Sequence, residues 1–195
     1  MNKPDPMYRD DGEFKTIRKG RAAKEYSAWY HMRHRCYLAD RSKRYKGYED
    51  CEVAEEFHSF QRFATWAIGQ VGINDGFQLD KGLLVKGNRI YAPDTCLFLP
   101  GEINRILIRN KDKRTDMPVG VMYRPGHVSE KPYVACVNKN SKSIALGYFD
   151  SIEQAFLAYK VAKEEILKAV AEKYKSVIDP RAYAALVAYQ IEITD

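Results

Sequence analysis

Apolar side chains recur every three or four residues in two stretches of the N-terminal half, and this period predicts two amphipathic helices. The first helix spans about residues 21–37 and carries a basic edge at 33–35. The second begins near Glu55, and Gly72 is placed to end it. Both apolar faces are rich in Phe, Tyr and Trp, which at helical spacing are typical of core packing. We therefore expect both faces to be buried.

A strand, a loop, a second strand and a short helix are predicted next along the chain. The strands are expected at 76–79 and 95–99, where short apolar runs are bounded by polar residues. Pro100 then opens the helix, because proline is favoured in a first helical turn. Residues 109–116 are almost wholly polar, which indicates a linker.

Three β-rich runs follow this polar stretch, and they predict a three-stranded antiparallel sheet. Ser151 then begins a helix in a capping box with Gln154, and the apolar stripe of that helix is suited to covering the sheet. A last helix is predicted with Asp179 as its cap and Pro180 in its first turn. The three runs are 119–123, 133–137 and 143–149.

These elements together predict an α+β fold in two parts. Residues 1–108 hold N-terminal helices and a ββα core, and residues 109–117 form a basic linker. Residues 118–195 hold a three-stranded antiparallel sheet packed on a helix, followed by a C-terminal helix. A chain of 195 residues has room for a hydrophobic core in at least one part.

Composition excludes several classes of protein. With 45% apolar residues, 12 Gly and 8 Pro, the chain is neither a disordered tail nor a collagen-like fibre. No apolar run approaches the ~20 residues of a membrane helix, and the first residues are too polar for a signal peptide. We therefore expect a soluble cytoplasmic protein with no membrane partner. The four cysteines form no C-x-x-C pair, which favours ordinary thiols over a zinc site or a disulfide.

The net charge of +6 is unevenly distributed along the chain. Residues 15–48 carry +9, residues 49–80 carry −6, and residues 81–142 carry +7. A nucleic-acid surface needs clustered cations rather than a mere excess of them. Two basic blocks on either side of an acidic one favour a polyanionic partner over ordinary solvated helix faces and loops.

Particular motifs resemble known families. The segment LDKGLLVKGNRIYAPDTCLFLPGEIN (79–104) resembles the nuclease core of HNH, or His-metal finger, endonucleases of the phage homing type. Upstream, WYxMRxRCY (29–37), YEDC (48–51) and FHSFxxFxxW (57–66) resemble the N-terminal part of the same phage and prophage proteins. Downstream, YVACV and KSIALGYFDSIEQAFLAY (133–137 and 142–159) are similar to the Apetala/ethylene-response-factor DNA-binding domain, a three-stranded sheet on one helix.

The nuclease resemblance implies specific roles. Asp80 matches the acid that binds a divalent cation, and Asn104 matches the metal ligand on the following helix. Their oxygen atoms suit Mg²⁺ (or Mn²⁺). Asn88 and Asp94 match the residues that brace the loop. Lys81 stands where the family carries its general-base histidine.

Lys81 is a poor base, because a lysine ammonium accepts a proton only after its pKa falls by roughly 3 units. Two alternatives follow. Lys81 could stabilise the phosphate electrostatically while a distant imidazole acts as base, with His58 the first choice and His34 the second. Otherwise cleavage has been lost or weakened, and the ββα unit survives as a DNA binder.

The expected function is a DNA-binding, HNH-like endonuclease of a phage in the bacterial cytoplasm. It would nick double-stranded DNA, or cut both strands if two copies assemble as a homodimer. The alternatives are a catalytically degenerate DNA-binding module and a phage protein that binds a host protein. The side chains expected to contact DNA, unless they only solubilise loops, are Arg33, Arg35, Lys43, Arg44, Lys86, Arg89, Arg105, Arg124, Lys131, Tyr133, Lys139 and Lys142.

Overall fold

The computed structural model describes residues 4–38, 47–107, 117–126, 131–139 and 142–195. Two compact units divide the chain: the first contains residues 1–104 and 176–182, and the second contains residues 105–175 and 183–195. Helices and strands are mixed in an α+β fold, which confirms the predicted class. The predicted linker at 109–117 lies outside the described residues except for Met117.

The described residues form five α-helices and nine short strands. The helices are α1 (Lys24–Arg33), α2 (Phe60–Ile68), α3 (Gly101–Leu107), α4 (Ile152–Tyr174) and α5 (Pro180–Val187). The strands are β1 (Ile17–Arg18), β2 (Arg21–Ala22), β3 (Glu52–Val53), β4 (Gln78–Asp80), β5 (Ile90–Tyr91), β6 (Leu97–Leu99), β7 (Val121–Tyr123), β8 (Tyr133–Lys139) and β9 (Lys142–Phe149).

The core of the first unit is aromatic, as the helical spacing predicts. Helix α1 packs on α2 and continues into a π-helical turn, His34–Leu38. Trp29 is completely buried, and its indole Nε1 donates to the carbonyl oxygen of Phe57 at 2.9 Å. Phe57 also contacts the ring of Trp66, with 4.7 Å between ring centroids. The aromatic stripes are therefore packing, which confirms that prediction.

The predicted limits of the second helix are wrong at both ends. Residues Glu55–Phe57 form a separate 3-10 turn, and α2 starts after Ser59, whose hydroxyl accepts from the Arg62 amide. The helix ends at Ile68, not at Gly72. Gly72 has a φ of 90°, and a Cβ there would lie 2.2 Å from the Phe77 ring, so this glycine makes a tight turn instead.

An N-terminal segment that includes Asp10 and Phe14, which we call the strap, is hydrogen-bonded to the start of α2. The carboxylate of Asp10 accepts from the Ser59 hydroxyl at 2.5 Å and from the Gln61 amide at 3.1 Å. The Gln61 side chain in turn exchanges two hydrogen bonds with the backbone of Phe14. Residues distant in sequence are thereby joined at a helix N-terminus, where a carboxylate is favoured by the helix dipole.

Strand β4 pairs antiparallel with β6, and α3 follows directly. The predicted order of strand, loop, strand and helix is therefore confirmed. The loop between the strands holds an additional strand that was not predicted, because β5 pairs in parallel with β3. We call the segment from β4 to α3, residues 78–107, the hairpin–helix unit.

The second unit contains the predicted three-stranded antiparallel sheet, in the order β7-β8-β9, packed against α4. Ser151 caps α4 by accepting from the Gln154 amide at 3.2 Å. Gly120, with a φ of 79°, lets the chain pass close to Tyr159 of α4. No helix in the described part of the chain is long and apolar enough to cross a membrane.

Candidate functional site

Asp80 stands at the end of β4, opposite Leu97 of β6. Its Oδ1 accepts from the amides of Gly82 and Leu83 at 2.9 and 2.8 Å. One carboxylate oxygen therefore shapes the turn that leaves the strand. The other, Oδ2, accepts no hydrogen bond from the residues that the structure describes. It is the atom of Asp80 that remains for a cation.

Asn104 lies on α3 and contacts the start of β4. Its Nδ2 is 3.3 Å from Oε1 of Gln78 and 3.5 Å from the Gln78 carbonyl oxygen. Gln78 and Asp80 point to the same side of the strand and are about 6.6 Å apart along it. Asn104 and Asp80 thus share the hairpin–helix unit, but the Asn104 side chain hydrogen-bonds to Gln78.

Asn88 braces the loop that follows Asp80, as the resemblance implies. Its Nδ2 donates to the carbonyl oxygens of Lys81 and Ile90, both at 2.7 Å. Its Oδ1 accepts from the Ile90 amide at 3.0 Å. One amide therefore joins the residue after Asp80 to the start of β5, and its hydrogen bonds among the described residues are all to backbone atoms.

The Lys81 side chain packs on aromatic rings. Its ammonium lies 5.4 Å from the ring centroid of Tyr91 and 5.6 Å from that of Tyr48. The faces of these rings attract a cation, so cation–π contacts hold the Lys81 side chain against them. At the position that the resemblance assigns to a histidine base, the structure therefore has a lysine packed on two tyrosine rings.

His58, the first candidate for the base, is held by a structural contact. Its Nε2 lies 2.9 Å from the carbonyl oxygen of Val53 in β3. Because a carbonyl oxygen only accepts, Nε2 carries the proton in this contact. No hydrogen bond in the described part of the chain joins His58 to Asp80 or Lys81. His34, the second candidate, lies beside the ring of Tyr30 in the turn after α1, with 5.9 Å between centroids.

The candidate DNA-binding cations of the first unit differ in availability. Arg33 is engaged within the fold, since its Nε is 2.6 Å from Asp5 and its guanidinium lies over Trp29. Lys86 and Arg89 are exposed on the hairpin–helix unit. Arg89 donates to the Gly47 carbonyl oxygen at 2.9 Å. Lys43 and Arg44 lie outside the described residues, and Arg35 is half-buried. Arg105, the first residue of the second unit, is exposed on α3.

The candidates of the second unit lie at the two ends of the sheet. Lys139 and Lys142 are cross-strand partners at the β8–β9 end, and both are exposed. Arg124 and Lys131 lie beyond the other end of β8, where Lys131 pairs with Asp150 at 3.7 Å. The two ends are roughly 20 Å apart along the strand. They could therefore contact separate phosphates.

The middle of the sheet is apolar rather than basic. Tyr133 is half-buried against Tyr123, with 5.5 Å between ring centroids. Val134 and Ala135 are adjacent in β8, so they point to opposite faces, and both are buried. The centre of β8 therefore does not form a flat basic surface.

Sequence reasoning missed a basic hairpin, β1–β2, before the first helix. Arg18 and Arg21 are cross-strand partners, and Lys19 and Gly20 form the turn with φ of 51° and 72°. Two consecutive positive φ values are typical of a type I′ turn. Lys19 and both arginines are exposed, although Arg18 also contacts Glu25 at 2.6 Å. The Lys-Gly pair within a basic run is the signal that could have revealed it.

The cysteines remain thiols. Cys36, Cys51 and Cys96 are buried in the first unit, Cys136 is half-buried in β8, and none of the four forms a disulfide within the described residues. Burial raises the pKa of the Cys96 thiol to about 12. Within the described residues, no group of three or more His, Cys, Asp or Glu side chains could hold a metal ion.

Comparisons of the chain with protein-family models, with curated proteins and with solved structures found no significant match.

Proposed function

We propose that this protein binds duplex DNA and that residues 78–107 are an HNH-type hairpin–helix unit placed against the DNA backbone. One observation carries the proposal: an acid ends the first strand, and a loop braced by Asn88 presents exposed Lys86 and Arg89 beside it. Such cations increase the affinity of a protein for DNA, because they release the counterions condensed on the DNA phosphates. The cationic ends of the sheet in the second unit supply further phosphate contacts.

Binding is tested with a fluorescein-labelled duplex and fluorescence anisotropy over a series of KCl concentrations. The logarithm of affinity should fall linearly with the logarithm of salt concentration, by about 0.9 for each phosphate contacted. Replacing Lys86 and Arg89 together by glutamine should reduce the slope by about 2, whereas Arg62→Gln on α2 serves as a matched control. No binding at low salt would refute DNA binding and leave a protein partner as the remaining hypothesis.

Metal-dependent hydrolysis of DNA is the second candidate function, and it is favoured by Oδ2 of Asp80, which accepts no hydrogen bond from the described residues. Asp80 and the amide oxygen of Asn104 are the residues that would hold Mg²⁺ or Mn²⁺, since hard oxygen ligands suit these cations, which keep most of their waters. When bound, the cation would stabilise charge on the scissile phosphate. Lys81 is unsuited to accept a proton, so the base is the component that this candidate lacks.

Cleavage is tested by incubating supercoiled plasmid with the protein and Mg²⁺ or Mn²⁺. A single site of this kind should produce a nick, or a double-strand break where two copies assemble. Asp80→Ala should abolish nicking, and Asp75→Ala, which removes an exposed carboxylate nearby in sequence, should not. If no metal supports nicking that depends on Asp80, the protein is a DNA-binding module without cleavage.

Nicking by the Lys81→His variant distinguishes a degenerate HNH site from a site in which lysine has a function. Increased nicking would identify a degenerate HNH site that has lost its base. Decreased nicking would give lysine a role of its own. As the phage and prophage resemblance implies, we place either activity in the cytoplasm of a bacterial host.

A further inference from the structure

Two positive charges meet the same pair of tyrosine rings in the first unit. The guanidinium carbon of Arg35 lies 5.6 Å from the ring centroids of both Tyr48 and Tyr91. The Lys81 ammonium lies 5.6 and 5.4 Å from the same centroids. Since both cations lie within 5.6 Å of the same ring centroid, they are at most about 11 Å apart, and salt screens half-buried charges at that distance less than exposed ones. We call these four residues the tyrosine shelf.

No carboxylate of the described residues pairs with either of these two charges. In the described part of the chain, no Asp or Glu oxygen lies within the 4.0 Å of an ion pair from either Arg35 or Lys81. Asp80 is adjacent to Lys81 in sequence, but its Oδ1 is engaged by the amides of Gly82 and Leu83. Two half-buried cations without a carboxylate partner are unusual, because burial penalises unbalanced charge.

The phenol and thiol groups around the shelf do not supply a negative charge either. Burial raises the pKa of the Tyr91 hydroxyl well above its ordinary value of 10.0. Burial likewise raises the pKa of the nearby Cys96 thiol to about 12. Both groups are therefore neutral at physiological pH and contribute no negative charge beside the two cations.

Hydrogen bonds hold the Arg35 guanidinium and the Lys81 backbone in place. The Arg35 Nε, in the turn that follows α1, donates to the carbonyl oxygen of His31 in α1 at 3.1 Å. The Asn88 Nδ2 donates to the Lys81 carbonyl oxygen at 2.7 Å. Arginine offers a planar fork of donors and lysine a compact point charge, and the pair suits the oxygens of a phosphate.

We propose that the tyrosine shelf is a phosphate-binding site, in which Arg35 and Lys81 together take one backbone phosphate of the DNA beside Asp80. This inference rests on the proposed DNA binding and makes it more specific. Lys81 thereby has a reason to replace histidine, because it contributes charge to phosphate binding rather than accepting a proton.

The first arm of the test measures how DNA affinity depends on KCl for the full-length protein by fluorescence anisotropy. Lys81→Gln should reduce the salt slope by about 1, and Arg35→Gln with Lys81→Gln should reduce it by up to about 2. Arg62→Gln, which removes an exposed cation from α2, should leave the slope unchanged. Circular dichroism and tryptophan fluorescence confirm that each variant is folded, and Lys81→Gln alone suffices if the double variant is not.

The second arm uses inorganic phosphate without DNA. Phosphate should raise the thermal midpoint of the wild-type protein above that in chloride of equal ionic strength, and Lys81→Gln should remove this increase. If the wild type binds DNA but the slope of Lys81→Gln is unchanged, the shelf inference is wrong and DNA binding stands. If the wild type does not bind DNA but phosphate stabilises it through Lys81, the proposed function fails and the anion site stands. Failure of both arms overturns both.

Discussion

Asn88→Ala is the substitution whose effect follows most directly from the geometry of the hairpin–helix unit. The amide of Asn88 makes three hydrogen bonds, two from Nδ2 at 2.7 Å and one to Oδ1 at 3.0 Å. All three partners are backbone atoms, of Lys81 and Ile90. Alanine removes the three bonds together and leaves the loop between β4 and β5 without its brace.

The expected loss of stability is about 2 kcal/mol. Each hydrogen bond contributes about 1 kcal/mol net, and the half-exposed position lets water replace part of the loss. For a chain of this size, about 2 kcal/mol corresponds to a fall of about 4–8 °C in the thermal midpoint. The Ile90 amide also loses its acceptor, so its hydrogen exchange should become faster.

Urea unfolding followed by tryptophan fluorescence is the appropriate assay. Both tryptophans of the chain, Trp29 and Trp66, belong to the first unit, so the signal reports the unit that contains Asn88. Asn74→Ala is the matched control, because Asn74 is exposed and its side chain makes no hydrogen bond in the described part of the chain. If Asn88→Ala costs no more than the control and Ile90 exchange is unchanged, the bracing role is refuted.

Three further predictions concern other parts of the molecule. Burial works to raise the pKa of the Asp10 carboxyl, but hydrogen bonds from Ser59 and the Gln61 amide outweigh it and hold the pKa below its ordinary value of 3.8. The stability that this contact contributes should therefore be fully present above about pH 3.8 and lost as the pH falls through the folded-state pKa of Asp10. The difference in thermal midpoint between wild type and Asp10→Asn should accordingly shrink from neutral pH to about pH 3. Gly120→Ala should destabilise the second unit by about 1–3 kcal/mol in chemical unfolding, because its Cβ would lie 2.1 Å from the Tyr159 ring, whereas Gly126→Ala, at a similar φ with open space around it, should cost less. In the native protein at about pH 8, Cys96 should resist iodoacetamide while the half-exposed Cys136 reacts. Peptide mass spectrometry would locate the label, and rapid labelling of Cys96 would contradict its burial.

Local signals in the sequence predicted the α+β class, the order of strand, loop, strand and helix, and the three-stranded sheet with its covering helix. Ser151 caps α4 as its capping-box position indicates. Asp179 likewise accepts from the Arg181 amide at the start of α5. These features depend on residues within one helical turn or one strand of each other, so a linear pattern contains them.

Local sequence patterns did not predict short strands or contacts between residues that are distant in sequence. Strands β3 and β5 have two residues each and pair in parallel, so neither has a period that could be recognised. The end of α2 was misplaced because Gly69 and Gly72 both lie near it, and only the close approach of Phe77 explains why Gly72 makes the next turn. The hydrogen bond from the Ser59 hydroxyl to the Asp10 carboxylate likewise joins positions that no local motif connects.

The sequence by itself determined which residue types stand at the candidate site, including the acid Asp80 and the lysine that follows it. Tertiary structure alone decided what those residues contact. Folding brings Arg35 and Lys81 onto the rings of Tyr48 and Tyr91, and it turns His58 towards Val53 rather than leaving it for catalysis. The physical reason is that charge balance and burial depend on neighbours in space, and these four shelf residues come from four separate segments of the chain.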